Sequence, residues 1–570
     1  MKKSFFKRIL CVGLAVAATL SMTACGGGSS KKNNGDDPNK TNLNIFIYKA
    51  GYGDEWLNRL ERAFEKAYEE HSFEDGKTGV KVRHTADMRA FNSAQVKRSE
   101  YDIFFFENEH YYKYLDVLED LSDVGNEKAA AEDELTVLQK LDDQQKDYFG
   151  AKSGSETHYY ALPSYYGNYG IIYNVDLFDE KGYYIAEDKS DGITVIGNDK
   201  TKKKSKGPDG KTGVDPVTGE DYSLDDGLPT TYEEFFALCD EIAAADDTPV
   251  GLPGRYTFQH LGNLMDSLAS DYEGVEQTRL NYDFNGEAEN LVVLDSNGRV
   301  TRDSDGVPVT EKKNITTANG YDVARQLGKL YGMEFVSRLI SHSNYMNTDA
   351  FTESFTHTDN QELFLMNGTE LSEESHSTAM IIDGPWWQEE SNGVFKDMAK
   401  VNSKYSRANR KFGWMPLPKA TEDKVEQGNV YSDYLNAFVC VKSGLDDATK
   451  AAAKEFVKFA ASDAMLRDFT LTTGAVKAYK YDMKKDANKL SYFSQGLVNY
   501  VKNADVVYKF SSSSFYNDNI ASLQYDVVYS ARVNGSLFRN VVAGIHDGKA
   551  TGQGYFEEYN RYFKKYTFWK

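Results

Sequence analysis

The sequence predicts an α/β protein with two or more lobes, in which mostly parallel sheets are covered by helices. A chain of 570 residues is too long for a single hydrophobic core. The apolar runs 43–48 (LNIFIY), 80–84 and 101–106 (YDIFFF) predict strands. Between the first two, apolar residues recur at helical spacing from Trp56 to Tyr68. This alternation is typical of parallel sheets with covering helices.

The loops after the first and third predicted strands are the first candidate ligand contacts. In sheets of this kind, ligands bind beyond the carboxyl ends of the strands. Residues 48–52 follow the first strand, and residues 107–109 follow the third. Both loops carry the polar and aromatic side chains that a small-molecule site needs.

The first 24 residues predict a cleaved secretory signal peptide. Four positive residues precede the apolar run 9–20, which is too short to span a bilayer comfortably, and small residues then lead to Cys25. The stretch LSMTAC that ends at this cysteine resembles a bacterial lipobox, in which the cysteine is diacylated and becomes the mature N-terminus. We expect residues 25–41 to form a lipidated, flexible linker to the membrane. The alternative is an ordinary signal with an incidental cysteine.

The composition argues against nucleic-acid binding. The formal charge is −21, and removal of the four positive residues of the signal peptide lowers it to −25, whereas nucleic-acid binding needs basic patches. No other segment is apolar enough to span a membrane. The 39 tyrosines of an exported, acidic chain favour a binder of neutral polar ligands. Cys239 and Cys440 are predicted to be buried single thiols, with a disulfide between them as the alternative.

The motifs for catalysis, cofactors and metals are incomplete. The stretch AGYGDEW after the first strand has Trp56 where a dinucleotide loop needs its third glycine. The nine histidines form no HExxH motif, and the DSDG turn at 303–306 is followed by Asn314 where a calcium loop needs Glu. No Gly-x-Ser-x-Gly elbow occurs, and carboxylates close in sequence do not establish a glycosidase pair. We therefore expect a protein without metal, cofactor or catalytic activity.

Five stretches occur in an order that points to a family. They are YYALPSYYGNYGIIYNVDLFDEKGY (159–183), LPTTYEEFFALCDEI (228–242), AMIIDGPWWQEES (379–391), FGWMPLPK (412–419) and DATKAAAKEFVKFAASDAMLRDFTLTTGA (447–475). Together they resemble the extracellular solute-binding proteins of family 1, the sugar-binding subunits of ABC importers. The resemblance covers most of residues 42–560, except polar insertions near 184–227 and 280–316. It implies a two-lobed, periplasmic-binding-protein-like fold of the class II type, with the ligand between the lobes.

The resemblance also implies a domain division and a function. Residues 42–166 and 428–480 would form the first lobe, and residues 167–427 and 481–570 the second, with hinge closure over the ligand. The protein would be a monomer, anchored outside the cytoplasm by its lipid, that delivers a sugar or oligosaccharide to the permease subunits of an ABC importer. The alternatives are a lipid-anchored surface glycoside hydrolase and a binder of a peptide or polyamine.

A sugar site combines aromatic faces with carboxylates and amides, because sugar rings offer C–H faces and hydroxyl groups. By motif position, Phe106 and Glu109 fall where maltose binders of the family have an aromatic and an acidic sugar contact. Trp386, after Gly-Pro, falls on a sugar-stacking tryptophan, and Trp387 should point about 100° away. Gly167 replaces an acidic contact, which shifts attention to its neighbours. The other candidates lie at strand ends or crossing segments: Tyr48, Tyr52, Glu107, Asn108, Tyr165, Tyr166, Asn168, Asp433 and Tyr434.

Overall fold

The computed structural model describes residues 35–569 except 191, 200, 217–218, 220, 502, 521–522, 524–531, 534–535, 538–540 and 549–550. The predicted signal peptide and the lipidation site at Cys25 lie outside the described residues. Within the described part of the chain, every helix is too short or too polar to cross a bilayer.

The strands fall into one larger sheet per lobe and several short pairs. They are β1 Thr41–Tyr48, β2 Val80–Asp87, β3 Ile103–Phe106, β4 Gly150–Ser153, β5 Glu156–Tyr159, β6 Leu162–Pro163, β7 Gly170–Asn174, β8 Thr248–Gly251, β9 Gly286–Val292, β10 Thr310–Ile315, β11 Thr378–Asp383, β12 Phe412–Met415, β13 Val430–Asp433, β14 Phe438–Val441, β15 Asp505–Tyr508, β16 Arg532–Val533 and β17 Ser536–Leu537.

The α-helices cover these sheets. They are α1 Glu55–Ala67, α2 Ser93–Arg98, α3 Ser122–Asn126, α4 Asp143–Phe149, α5 Val175–Lys181, α6 Tyr232–Ala244, α7 Thr257–Asp283, α8 Leu327–Ser341, α9 His357–Met366, α10 Trp387–Glu390, α11 Asn392–Val401, α12 Asp447–Ala460, α13 Asp463–Thr473, α14 Tyr492–Val501, α15 Ser514–Asp518, α16 Val541–His546 and α17 Gly552–Phe563.

Lobe 1 is built on a five-stranded sheet in the order β2-β1-β3-β14-β6. Strand β1 pairs in parallel with β2 and β3, as the alternation of strand and helix predicted. Helix α1 buries Trp56, Leu57, Leu60 and Phe64 on one face, which is why its apolar residues recur at helical spacing. Helix α12 packs against β1. Its N-cap Asp446 accepts a hydrogen bond from the backbone N–H of Thr449.

Lobe 2 is built on a four-stranded sheet in the order β12-β7-β11-β8. Strand β11 is buried at all six positions, which explains the unbroken apolar run from Ala379 to Ile382. It pairs in parallel with β8 and antiparallel with β7. In lobe 1, β14 likewise runs antiparallel to β3 and β6. Both sheets are therefore mixed rather than mostly parallel, because strands next to the crossing segments enter each sheet in the reverse direction.

Two crossing segments join the lobes. One runs between β6 and β7, and the other runs between β14 and β13, which forms a separate parallel pair with β15 in lobe 2. Asp433 holds them together, because its Oδ1 accepts hydrogen bonds from the backbone N–H of Gly167 and of Leu435, both at 3.1 Å. A Cβ at position 167 would lie 2.2 Å from Cγ of Leu435. The glycine that departs from the family pattern is thus required by the packing of the two segments.

The two polar insertions have different structures. Within 280–316, β9 and β10 form an antiparallel pair. The insertion 184–227 contains isolated bridges and the short 3₁₀ turn Tyr222–Asp225. Cys239 in α6 and Cys440 in β14 are both free and buried, which confirms the prediction of single thiols.

Candidate ligand-binding site

A cavity of about 540 Å³ lies between the lobes. Lobe 1 contributes the loops that follow β1 and β3 to its lining. Lobe 2 contributes the segment that follows β11 and the N-terminal turns of α7 and α9. The cavity therefore lies where the carboxyl ends of β1, β3 and β11 face the opposite lobe, which is the ligand position in sheets of this kind.

Aromatic rings form much of the cavity wall. Trp386 meets Tyr169 edge-to-face at a centroid distance of 5.3 Å, and Tyr169 meets Tyr434 at 5.4 Å. Tyr48 and Tyr256 also line the cavity. The hydroxyl of Tyr434 accepts a hydrogen bond of 2.7 Å from the amide Nε2 of Gln259 in α7. This bond holds the Tyr434 ring against lobe 2. The wall thus offers several oriented aromatic rings.

Two glycines fix the position of the Trp386 indole. The ring lies over Gly384, where a Cβ would be 2.2 Å from its Cη2 atom. On the opposite side it abuts Gly51 of lobe 1, where a Cβ would be 2.6 Å from its Cδ1 atom. It also meets Tyr52 edge-to-face at 6.0 Å. Trp386 therefore spans the gap between the lobes while it lines the cavity.

Glu107 is a buried carboxyl group on the lobe 1 side. It is 3% exposed, and one of its oxygens accepts a hydrogen bond from the hydroxyl of Tyr165. The other oxygen, Oε2, has no partner among the residues that the structure describes. Burial raises the pKa of Glu107 to about 8, and the charge of Asp433 adds to the rise. At neutral pH the group is therefore mostly protonated and can both donate and accept a hydrogen bond.

Two further carboxyl groups share one amide on the lobe 2 side. The Nε2 of Gln361 donates to Asp383 at 2.9 Å and to Glu390 at 2.7 Å. Burial raises the pKa of Asp383 to about 6 and that of Glu390 to about 8. His357 lies 3.7 Å from Glu390. His260 is kept neutral, because burial lowers its pKa to about 4, and its Nδ1 lies 2.7 Å from the carbonyl oxygen of Ile382.

The structure brings part of the predicted set to this cavity. Five of the predicted residues line it: Tyr48, Glu107, Asn108, Trp386 and Tyr434. Tyr52 and Tyr165 lie directly behind the lining, with their rings 4.6 Å apart. Across the described residues, no group of three or more His, Cys, Asp or Glu side chains is arranged to hold a metal ion.

Phe106 and Glu109 do not line the cavity, contrary to expectation. Successive residues of a strand point to opposite faces, so Phe106 turns into the lobe 1 core beside Glu107. There it stacks between Phe104 and Tyr114, each at 5.1 Å. Glu109 forms an ion pair of 2.8 Å with Lys113, four residues further along the chain.

Three more predicted residues lie in or beside the crossing segments and do not line the cavity. The hydroxyl of Tyr166 accepts a hydrogen bond of 3.0 Å from Gln145 and lies 3.4 Å from Asp142, on α4 and its N-cap. Asn168 is buried next to the lining residue Tyr169. Asp433 is fully buried, where it binds the backbone amides described above.

Several lining residues were not predicted from the sequence. Tyr169 lies inside one of the family stretches, and Asp383 and Glu390 flank the predicted tryptophan, so position within those stretches could have indicated all three. Gln259 and His357 lie on helix starts far along the chain, and only the fold brings them to the cavity.

Comparison with known proteins agrees with this architecture. No curated protein matches the chain by sequence. A solved chitin oligosaccharide binding protein is 14% identical, with a TM-score of 0.51, over 92% of this chain and 99% of that chain. The GacH receptor of Streptomyces glaucescens GLA.O is 13% identical, with a TM-score of 0.50, over 93% and 100%. A protein described for xylan utilization by Caldanaerobius polysaccharolyticus is 14% identical, with a TM-score of 0.50, over 92% and 99%.

At these identities the solved structures establish the two-lobed α/β fold. The family assignment comes from the sequence itself. The family profile described as bacterial extracellular solute-binding protein matches residues 63–480, which is well over half of the chain and includes both crossing segments. The chain belongs to the bacterial extracellular solute-binding proteins.

Proposed function

We propose that this protein captures a sugar or oligosaccharide in the cavity between its lobes and delivers it to an ABC importer. The observation that carries the proposal is the wall formed by Trp386, Tyr169 and Tyr434 next to buried carboxyl groups. Aromatic faces pack on the C–H faces of sugar rings, while carboxyl and amide groups bind their hydroxyls. A cavity of about 540 Å³ is within the usual range for small-molecule sites.

The structural neighbours support the same ligand class. One of them is a chitin oligosaccharide binding protein, another was solved in complex with acarbose, and a third is described for xylan utilization. The buried carboxyl groups fit an uncharged ligand, because the raised pKa of Glu107 and of Glu390 leaves both groups largely neutral at neutral pH.

Closure of the lobes would sequester the ligand and signal its presence to the permease. The contact of Trp386 with Gly51 joins the lobes, so a ligand that bridges the cavity would favour the closed state. The sequence placed the second boundary at residue 428, but β13 pairs with β15 and packs on α7. We therefore propose that residues 42–166 and 434–480 move as one lobe against residues 167–433 and 481–570. The protein would act as a monomer and without catalysis.

The first experiment screens a glycan panel for thermal stabilisation. A cognate glycan at about 100 times its Kd should add about 2.7 kcal/mol to the stability of the folded state. Solution scattering should show compaction on binding, and the glycan should be recovered intact. Release of reducing ends would instead support the alternative of a surface glycoside hydrolase. Stabilisation by peptides or polyamines alone would show that the ligand is not a sugar.

We further propose that the mature protein is tethered to the membrane through a diacylated Cys25. A tethered binder stays beside its importer, and two acyl chains suffice for stable attachment. Cys25→Ser should move the protein from the membrane fraction to the soluble fraction. An unmodified N-terminal peptide in mass spectrometry of the wild type would contradict the tether, without bearing on sugar binding.

A further inference from the structure

A second cavity, of about 470 Å³, lies in lobe 2 and shares no lining residue with the cavity between the lobes. Its walls come from the polar insertion, from the chain that follows β12, and from helix α14. We propose that this cavity is a second binding site, for a sugar unit of a neutral glycan. The proposal does not depend on what the first cavity binds.

The aromatic floor of this second cavity is held by a chain of hydrogen bonds. The indole Nε1 of Trp414 donates to the hydroxyl of Tyr431 at 3.1 Å, and that hydroxyl donates to the hydroxyl of Tyr500 at 2.9 Å. The hydroxyl of Tyr500 in turn donates to Asn429 at 2.5 Å, and the amide of Asn429 donates to Asp271 at 2.7 Å. These bonds fix the rings of Trp414 and Tyr500, which both line the cavity, so the aromatic surface is preformed.

The polar lining suits hydroxyl groups and excludes anions. Asn499 and Asn503 of the α14 region bring amides to the wall, and Asp225 of the insertion brings a carboxyl group. The Oδ1 atom of Asp225 is buried and makes no hydrogen bond within the described part of the chain. Lys419 also lines the cavity, but its ammonium group is bonded to Asp271 at 2.8 Å. A neutral polyhydroxyl ligand therefore meets both aromatic rings and the unpartnered oxygen of Asp225.

A glycine in the middle of α14 leaves the helix surface open to the second cavity. Gly496 lines the cavity, and among the described residues no heavy atom outside the helix's own backbone and its chain neighbours lies within 4 Å of the position that its Cβ would occupy. The open space above Gly496 leaves the surface of α14 accessible from the cavity, so a longer side chain at this position would fill space that a ligand could occupy.

The insertion gains a role from this assignment. Residues 207–210 and 221–225 of the polar insertion form one wall of the cavity, so without the insertion the site would be an open groove at the β12 edge of the sheet. The composition of the insertion by itself is typical of a solvated surface loop, and only the fold shows that the insertion lines a cavity.

The test uses substitutions to distinguish binding in the second cavity from binding in the first. Maltotetraose, cellotetraose, xylotetraose and N-acetylchitotetraose are titrated by calorimetry into the full mature chain carrying Trp386→Ala, which impairs the first cavity. We expect at least one tetrasaccharide to retain a binding event. Adding Gly496→Gln, which fills the second cavity from the helix, should weaken that event about tenfold or more, and Tyr500→Ala should do the same.

Gly393→Gln provides the matched control. Gly393 also lies in a ten-residue helix, α11, with no heavy atom near its Cβ position, but it does not line the cavity. This variant should leave the residual binding unchanged. The proposal is overturned if none of the four tetrasaccharides binds the Trp386→Ala protein, if Gly496→Gln has no more effect than Gly393→Gln, or if spermidine binds this cavity in place of the glycans.

Discussion

The cleft wall and the core of lobe 2 meet at two adjacent tryptophans with opposite surroundings. Trp387 is 0% exposed and Trp386 is 7% exposed, so solvent exposure alone barely separates them. Their neighbours do. Among the residues that the structure describes, the ring of Trp387 meets four phenylalanine rings of lobe 2 at distances between 5.0 and 5.9 Å: Phe364, Phe395, Phe412 and Phe493.

Trp386, by contrast, contacts residues outside lobe 2. It abuts Gly51 and Tyr52 of lobe 1 and meets Tyr169 at the crossing segment. Contacts within one lobe stabilise the fold in every conformation, whereas contacts across the cleft form only when the lobes close. The lobe that supplies the neighbouring side chains, rather than the degree of burial, therefore distinguishes the tryptophan that lines the cavity from the tryptophan of the core.

The largest expected effect is on stability, for Trp387→Ala. Truncating a fully buried tryptophan should lower the free energy of unfolding by about 3–5 kcal/mol, because transfer and cavity terms add. Urea unfolding of the apo protein measures the loss. Trp387→Phe should lose less, and the fraction of either variant that remains folded should bind the cognate glycan normally. A loss below about 1 kcal/mol would contradict the assignment of Trp387 to the core of lobe 2.

Trp386→Ala should show the reverse pattern. We expect glycan affinity to fall by about 1–3 kcal/mol, as for loss of a buried aromatic contact, with a much smaller change in the apo melting temperature than Trp387→Ala causes. Calorimetric titration and thermal unfolding of the same preparation measure both quantities. Unaltered affinity, or a melting temperature as low as that of the Trp387 variant, would show that both rings are core residues.

The sequence predicted the positions of helices and strands better than the direction of the strands and the side to which their residues point. Strands β1, β2 and β3 and helix α1 were all indicated by apolar spacing, because each buries a continuous stripe of its own residues. The mixed sheet direction was not indicated, because it depends on where the chain crosses between the lobes.

The site was predicted only where local pattern decides the position of a side chain. Trp386 follows the break after β11, and Glu107 follows the end of β3, so both could be placed at strand ends. Phe106 could not be assigned correctly, because a shift of one residue in a strand reverses the face. Gln259 and His357 reach the cavity through packing of distant helices, which leaves no signal in the local sequence.

Gly51→Ala should hinder closure of the two lobes. A Cβ there would overlap the Trp386 ring and would lie 2.8 Å from Oε1 of Glu390. Overpacking of this kind costs about 1–3 kcal/mol. Since the overlap arises only when the lobes meet, the loss should appear as weaker glycan affinity, with apo stability unchanged. Gly393→Ala is the control, and equal affinities of the two variants would argue against a contact between the lobes at Gly51.

The smallest expected effect concerns Glu107, which lies on the cleft but is as buried as a core residue. Burial raises its pKa from 4.5 in the unfolded chain to about 8. Between these values the folded protein holds a proton that the unfolded chain has released, so stability should fall as the pH rises. Glu107→Gln cannot titrate and should lack this component of the fall. From about pH 7 to about pH 8, the wild type should lose about 1 kcal/mol more than the variant, since each proton contributes at most about 1.4 kcal/mol per pH unit. Urea unfolding at both pH values measures the difference. The neighbouring groups Tyr165 and Asp433 are present in both proteins, so equal slopes would mean that Glu107 is solvated and that the cleft, unlike the core, tolerates its charge.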